Sequence, residues 1–417
     1  MCTWTVIETV NYYVRKGSPV VACLLDYRKA FDFCNHVVMF RNLIERKVNK
    51  IFLRIMIHMY LYQSCYIRWG CTESQPFSVT NGTRQGGVFS PRGGFATYLD
   101  PLLFQLRRSG YGCRIGGHWL GGLALADDVI LLSPSVQGLQ NLVSICEDHA
   151  SNTDLVFSTD KINPEKSKTM CIAFNVKNKG QLANFILNGD ALPWKDKVNH
   201  LGFTLSSDCS LNFDIQNKRA SFISRQYSLN QEFAFANPDN KLRMCRLYNT
   251  AFYGSNCWDF SSEEFGKFAR SWNVNLRILF DLPRDTHCWI VEELSNGRHF
   301  KQMIYSRFIK YLKVLSQNRK PFIRTLFNLV SKDAKSLTGS NVRKILLQTD
   351  QDPLRLDRNC IRSWRVYPPK DSWSVPLLRS LMNLRDDEWV LVFDEEEEDG
   401  RLQTEDLSFM IDTICRG

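Results

Sequence analysis

The sequence predicts an α+β fold: an antiparallel sheet with helices on one face, followed by a mainly helical region. Three observations predict it. The apolar run Val20-Val21-Ala22-Cys23-Leu24-Leu25 ends in Asp26 and reads as a buried strand. The acidic pair Asp127-Asp128 lies between two apolar runs in LALADDVILL, the pattern of paired strands with a polar tip. From about residue 210 onward the pattern turns helical and more basic.

The elements follow in order. Segment 35–62 reads as two helices, because Val37, Val38, Phe40, Leu43, Ile44, Val48, Phe52, Ile55 and Met59 recur at helical spacing. Strand-like pieces near 65–69 and 77–80 precede a Gly-rich turn at 81–87 and a helix over about 94–109. GGHWLGG at 116–122 lacks the order of a phosphate loop and reads as the turn leading into the acidic hairpin. Strands flank Asp127-Asp128, and a helix near 135–150 is entered at Ser133-Pro134-Ser135. Gly339, Pro353, Pro368 and Pro369 interrupt the later helical pattern. The expected division is an α+β region at 1–205, a helical region at 206–340 and a C-terminal region at 341–417.

Composition narrows the functional classes. No opening stretch has the order of a signal peptide, and the apolar run at 51–62 carries Arg54 and His58, so a nuclear or cytoplasmic protein without a membrane span is expected. The fourteen cysteines include no CxxC pair and the seven histidines are dispersed, which argues against a disulfide framework or a structural zinc. Residues 385–417 hold twelve acidic and three basic side chains, while 181–384 holds thirty basic and eighteen acidic. A surface that follows a phosphate backbone would have that basic excess, and so would an ordinary solvated face. Trp194, Trp258, Trp272, Trp289 and Tyr248 lie in this basic stretch, where core packing is the first reading and stacking on bases the second.

The acidic residues point to metal chemistry. Mg²⁺ takes oxygen ligands in near-octahedral geometry and is held by one or two carboxylates plus substrate phosphates. Two such ions, roughly 3.5–4 Å apart, activate a hydroxyl and stabilise a leaving phosphate. Asp26 and Asp127 are the expected ligands, with Asp128 binding less directly or orienting the others. The plainer readings are a helix cap or strand-end turn for Asp26 and a solvated turn for the pair. The apolar flanks Leu123, Leu125, Val129, Ile130, Leu131 and Leu132 count against the latter.

At these residues the chain resembles the reverse transcriptases of non-LTR (LINE-type) retrotransposons, through five motifs in order over about residues 4–204. LLDYRKAFD is similar to the first palm motif, in which the leading aspartate, here Asp26, binds metal and an aromatic five residues on, here Phe31, excludes a 2′-hydroxyl. A buried core phenylalanine is the other reading of Phe31. GTRQGGVFSP is similar to the second motif; the resemblance puts Gln85 and Gly86, with Arg84 before them, beside template and incoming nucleotide. ALADDVILL resembles the third motif. KINPEKSKTM, with Lys166 and Lys168, resembles the fourth, whose lysine (Lys166 is the expected one) assists the leaving pyrophosphate. VNHLGFTL, centred on Leu201 and Gly202, resembles the primer-holding hairpin.

The resemblance implies a polymerase-type palm with partial fingers at 1–205, then a helical thumb-like region and a C-terminal region with an acidic tail. It implies an RNA-directed DNA polymerase working by two-metal nucleotidyl transfer with two Mg²⁺ ions, which Mn²⁺ can replace. An RNA template, a DNA primer and deoxynucleoside triphosphates are the implied partners. The chain departs from the family in three places. Leu125 stands where the family has Tyr or Phe, Arg92-Gly93-Gly94 follows Ser90-Pro91 where an apolar helix is usual, and only twenty-five residues precede Asp26. The last departure implies N-terminal truncation, without the full fingers or the endonuclease that usually comes first. A catalytically inactive nucleic-acid-binding remnant of the same fold is therefore the alternative expectation. A palm-type nucleotide cyclase is a third, although it has no use for a primer-holding hairpin.

Overall fold

The computed structural model describes residues 1–84, 94–160, 163, 167–176, 182–250, 252–295 and 300–348. Of the residues singled out above, Gln85, Gly86 and Lys166 lie outside the described residues, as do Arg92-Gly93 and the acidic tail.

The chain opens with α1 (Cys2–Arg15), β1 (Val20–Leu25), α2 (Ala30–Phe33), α3 (His36–Glu45) and α4 (Lys50–Leu61). Four short strands follow: β2 (Ser64–Cys65), β3 (Arg68–Trp69), β4 (Thr72–Glu73) and β5 (Phe77–Ser78). Then come α5 (Ala96–Arg108), β6 (Arg114–Ile115), β7 (His118–Trp119), β8 (Gly122–Leu125) and β9 (Asp128–Ser133). After α6 (Val136–Asn152) lie β10 (Met170–Phe174), β11 (Ile186–Leu187), β12 (Asp190–Ala191), β13 (Lys197–His200) and β14 (Phe203–Ser206). Helices complete the described chain: α7 (Asn212–Glu232), α8 (Pro238–Tyr248), α9 (Glu263–Leu279), α10 (Cys288–Leu294), α11 (Phe300–Ser316), α12 (Pro321–Lys332) and α13 (Leu337–Gln348).

Two compact units emerge. The first holds Tyr13–Asp196, and the second holds Thr3–Tyr12 together with Lys197 onward.

In the first unit four strands form one antiparallel sheet in the order β10-β1-β9-β8. β1 lies at its interior and all six of its residues are buried, which is why its sequence is an unbroken apolar run rather than an alternating one. Alternate β1 residues Val21, Cys23 and Leu25 share a core with Val129 and Leu131 of β9, and with Leu99, Leu102 and Leu106 of α5 and Leu139, Leu142 and Val143 of α6. Each large aliphatic side chain buried there contributes roughly 1.5–3 kcal/mol. The α+β class, an antiparallel sheet carrying helices and followed by a helical region, is thus observed.

Local signals set the helix starts. Asn35 and Asn49 cap α3 and α4 through their side chains, and Ser135 accepts from the Gly138 N–H to start α6 where the sequence places it. Two features differ from the sequence reading. Helix α1 was not anticipated. The helical pair at 35–62 is present, but Val37, Ile44, Phe52, Ile55 and Met59 are exposed while Met39, Leu43, Met56 and Tyr60 are buried. Both helices are apolar on more than one stripe, so periodicity identified the helices and left open which stripe faces the core. All described cysteines are free thiols, and most are buried in the packed interior.

The second unit is built on aromatic packing. Phe222, Phe252, Trp258, Phe268, Trp272 and Phe300 form a connected cluster, with Phe268 and Phe300 centred 4.8 Å apart and Phe222 stacked on Trp272 at 5.5 Å. Trp258 and Trp272 are buried, which settles their role as core; Tyr248 and Trp289 are exposed. The helical turns of Thr3–Tyr12 belong to this unit through buried polar bonds. Trp4 Nε1 donates to Thr338 Oγ1 at 3.0 Å, and Glu8 Oε1 accepts from the Thr338 N–H at 2.8 Å and its hydroxyl at 2.6 Å. Asn341 completes a second knot, accepting from the Phe260 N–H and donating to the Trp258 carbonyl.

Candidate active site

The site begins where β1 runs out. Asp26 follows Leu25 directly, and its backbone is held on both sides: its N–H donates to Thr169 Oγ1 at 3.3 Å and its carbonyl accepts from the Ser158 N–H at 2.7 Å. The next residue, Tyr27, bridges to Phe157 and stacks on its ring at 4.5 Å. Burying Tyr27 while leaving the Asp26 side chain 27% exposed aims the carboxylate out of the sheet end.

The acidic pair sits on the neighbouring strands. Leu125 pairs with Asp128, so Ala126 and Asp127 form a two-residue turn between β8 and β9. Ala126 has φ 53°, a left-handed conformation that is costly for a residue with a Cβ. Because Leu25 pairs with Val129, the register continues to set Asp26 opposite Asp128, on the sheet face shared with Leu24 and Ile130. Asp127 is half-buried at the turn and Asp128 is exposed at the start of β9.

Electrostatics tie the three together. Burial raises the Asp26 carboxyl above its ordinary value, Lys168 opposes this, Asp127 adds to it, and a Ser158 hydrogen bond lowers it. Asp128, though exposed as a residue, is also raised by the partial desolvation of its carboxyl, then by the charges of Asp127 and Asp26, against the pull of Lys168. The Lys168 ammonium stands 3.9 Å from Asp26 Oδ2. Like charges gathered at one rim disfavour the fully ionised state, and a cation relieves that cost.

Hard carboxylate oxygens on two adjacent chain segments are the donor set that Mg²⁺ or Mn²⁺ prefers. Among the described residues no group of three or more His, Cys, Asp or Glu side chains is placed to hold a metal ion, the three aspartates as they stand included. An open rim of this kind fits an ion that keeps part of its shell for substrate phosphate and water.

The other expected residues fall as follows. Phe31, in α2, is half-buried with its ring 5.1 Å from Phe95, so it packs in part against the core. At the start of the Gly-rich motif, Gly82 has φ 89°, and a Cβ there would lie 2.9 Å from the Asp32 carbonyl, so only glycine fits. The Gly82 N–H donates to the Cys34 carbonyl and the Thr83 N–H to the Phe31 carbonyl, which docks this segment on α2. Arg84 is exposed, and its Nε donates to Gln63 Oε1 at 2.8 Å. Leu201 and Gly202 form the two-residue turn of the β13–β14 hairpin in the second unit. Thr169 and Ser158 are the neighbours of Asp26 that sequence reasoning did not single out; Thr169 lies within KINPEKSKTM, where the lysines drew the attention, and Ser158 belongs to no motif.

An antiparallel sheet with carboxylates at adjacent strand ends defines a polymerase-type palm. Residues 3–205 match the reverse transcriptase (RNA-dependent DNA polymerase) family, and the curated relatives that match part of the chain are Pol polyproteins of R2 retrotransposable elements. It is 26% identical over 156 residues to the retrovirus-related Pol polyprotein from type-1 retrotransposable element R2 of Nasonia vitripennis, covering 37% of this chain and 14% of that protein. It is 29% identical over 137 residues to the retrovirus-related Pol polyprotein from type-2 retrotransposable element R2DM of Drosophila melanogaster, covering 33% and 13%. The matched stretch thus spans about one seventh of those relatives. Among solved structures, telomerase from Candida albicans in complex with a fragment of telomeric RNA aligns over 92% of this chain and 52% of its own, at 11% identity and a TM-score of 0.32, and nothing is carried over from it. Reverse transcriptases generally use divalent metal ions. No helix among the described residues is long and apolar enough to cross a membrane.

Proposed function

We propose that this chain is an RNA-directed DNA polymerase of retrotransposon origin, acting in the nucleus or cytoplasm on an RNA template, a DNA primer and deoxynucleoside triphosphates. The observation that carries this reading is the carboxylate rim of Asp26, Asp127 and Asp128 within a reverse transcriptase domain. In the reaction the primer 3′-oxygen bonds to the α-phosphorus of the nucleotide, the bond to pyrophosphate breaks, and the hydroxyl proton is released. Asp26 and Asp127 would supply the oxygen ligands for two Mg²⁺ ions, with Asp128 orienting them. Bound there, the divalent ions supply Lewis acidity and neutralise phosphate charge.

The protein's own part is to hold these oxygens still. Thr169 and Ser158 fix the Asp26 backbone, and the β8–β9 turn fixes Asp127. Lys168, beside Asp26, is suited to balance negative charge on the departing pyrophosphate, a task the sequence assigns to Lys166 of the same motif. Phe31 serves as the gate against a 2′-hydroxyl, Arg84, Gln85 and Gly86 meet template and nucleotide, and Leu201-Gly202 holds the primer end. The domain scheme is a palm with partial fingers at 1–205, a thumb-like region at 206–340 and a C-terminal region at 341–417.

One observation favours a second reading, an inactive nucleic-acid-binding remnant. Leu125, half-buried beside Asp128, replaces the aromatic that the resemblance leads one to expect under the primer end. Purified protein given an RNA template, an annealed DNA primer, deoxynucleotides and Mg²⁺ decides between them. Extension that is lost in Asp127→Ala supports the polymerase; salt-sensitive binding without extension replaces it with the remnant.

A further inference from the structure

The turn of the β13–β14 hairpin is strained and clamped. His200 pairs with Phe203, so Leu201 and Gly202 make a two-residue turn, with φ 50° at Leu201 and 72° at Gly202. Glycine or asparagine normally fills the first of these positions; leucine there is a backbone outlier, and outliers persist only where the surroundings impose them.

The surroundings here are one face of α7. Asp214 and Lys218, four residues apart on that helix, reach the same hairpin. Asp214 Oδ1 accepts from the Thr204 N–H at 3.2 Å, and its Oδ2 accepts from Trp258 Nε1 at 2.8 Å, so a buried carboxylate joins the hairpin to the aromatic core. Lys218 Nζ donates to the Gly202 carbonyl at 3.0 Å, at the tip itself. Between them Asn217 Nδ2 reaches Thr204 Oγ1 at 3.4 Å, and that hydroxyl donates to Asn199 Oδ1 at 3.0 Å. The Tyr253 ring runs along the tip, 3.5 Å from where a Cβ on Gly202 would lie.

Carboxylate burial is expensive, and a helix can be attached to a hairpin without it. A tip that must present its backbone in one conformation to a ligand needs such a clamp. We propose that Asp214 and Lys218 are positioning residues for the primer: through their hold on Thr204 and Gly202 they lock the Leu201-Gly202 tip in the left-handed conformation that receives the primer 3′ end. This inference rests on the reading of the hairpin as primer-holding. Neither residue touches the reacting atoms; each acts through the hairpin backbone.

The test uses the full chain with an RNA template and a DNA primer ending in 4-thiothymidine. Photocrosslinking to peptide 197–206 is expected in the parent, at least fivefold weaker in Lys218→Met and Asp214→Asn, and restored in Lys218→Arg. In steady-state extension both variants raise the KM for primer–template by more than they lower kcat, while the KM for deoxynucleotide stays near the parent value. Lys218 is half-exposed, so Lys218→Met keeps the test alive if Asp214→Asn does not fold. Crosslinking in the parent that both variants retain in full overturns the inference alone. A parent that binds primer–template but does not crosslink at 197–206 overturns the primer-holding reading and the inference with it.

Discussion

Two hairpin tips among the described residues place a residue other than glycine or asparagine in the left-handed region, and they differ in what accompanies the strain. Ala126, with φ 53°, precedes Asp127 at a tip crowded by like charges from Asp26 and Asp128. Leu201, with φ 50°, precedes Gly202 at a tip gripped by Asp214, Asn217 and Lys218 from a single helix. The first tip is electrostatically unfinished and the second is mechanically finished. On the proposed reading, a tip that accepts ions and phosphate keeps more negative charge than Lys168 alone offsets, whereas a tip that holds a primer strand is completed by protein alone.

The largest expected effect breaks the comparison on the chemical side. Asp127→Ala removes a ligand oxygen and should lower primer extension by roughly 10³-fold or more, with the melting temperature unchanged or raised. An extension rate within tenfold of the parent would remove Asp127 from the reaction. Asp214→Ala is the matching cut at the clamped tip. It leaves the Trp258 Nε1–H and the Thr204 N–H buried without their acceptor, so denaturant unfolding should show a loss of about 1–3 kcal/mol. A loss no larger than that of an exposed substitution would mean the clamp carries no energy.

A smaller effect sharpens the shared feature. Left-handed backbone costs a residue with a Cβ about 1–2 kcal/mol, so Ala126→Gly and Leu201→Asn should each stabilise the chain by up to ~1 kcal/mol. Destabilisation by both would show that neither tip is strained in solution. The smallest effect concerns charge. Asp26 and Asp128 sit above the ordinary carboxylate value in the folded chain, so the protein favours their protonated forms. Their contribution to stability is full below the ordinary carboxylate pKa of about 4 and is lost as pH rises through the raised folded values. Asp26→Asn and Asp128→Asn should therefore raise the melting temperature by a few degrees near neutral pH and lose that gain in acid. Millimolar Mg²⁺ should raise the parent's melting temperature near neutral pH and leave Asp26→Asn unmoved; an equal shift in both would point to ion binding elsewhere.

Much of the palm was legible because its signals are local. An unbroken apolar run ending in Asp26 marks an interior strand, and an acidic dipeptide between two apolar arms marks a hairpin, although the tip is Ala126-Asp127, one residue earlier than the acidic pair, with Asp128 opening β9. Helix α6 starts at Ser135, where a Ser-Pro-Ser cluster announces a cap. What stayed hidden depends on tertiary partners. No pattern in Ile51, Phe52, Ile55 or Met59 says that they face outward, since the buried Met56 and Tyr60 are equally apolar in sequence. The neighbours of Asp26 were hidden for a related reason: Thr169 lies 143 residues away, and a hydroxyl carries no periodicity. Asp214 reads as one more acidic residue near a helix start until Trp258, 44 residues on, is seen to aim its N–H at it.

The polar knot at Thr338 has a consequence for how the chain acquires its form. Trp4 and Glu8 meet Thr338 across 334 and 330 residues, so the second unit closes its interior with pieces from near both ends of the described sequence. During synthesis Trp4 and Glu8 must wait for their partner until the segment around Thr338 has left the ribosome. Such a long closure adds little to the equilibrium cost, because loop entropy grows only logarithmically with length, yet it delays the last step and lengthens exposure to aggregation.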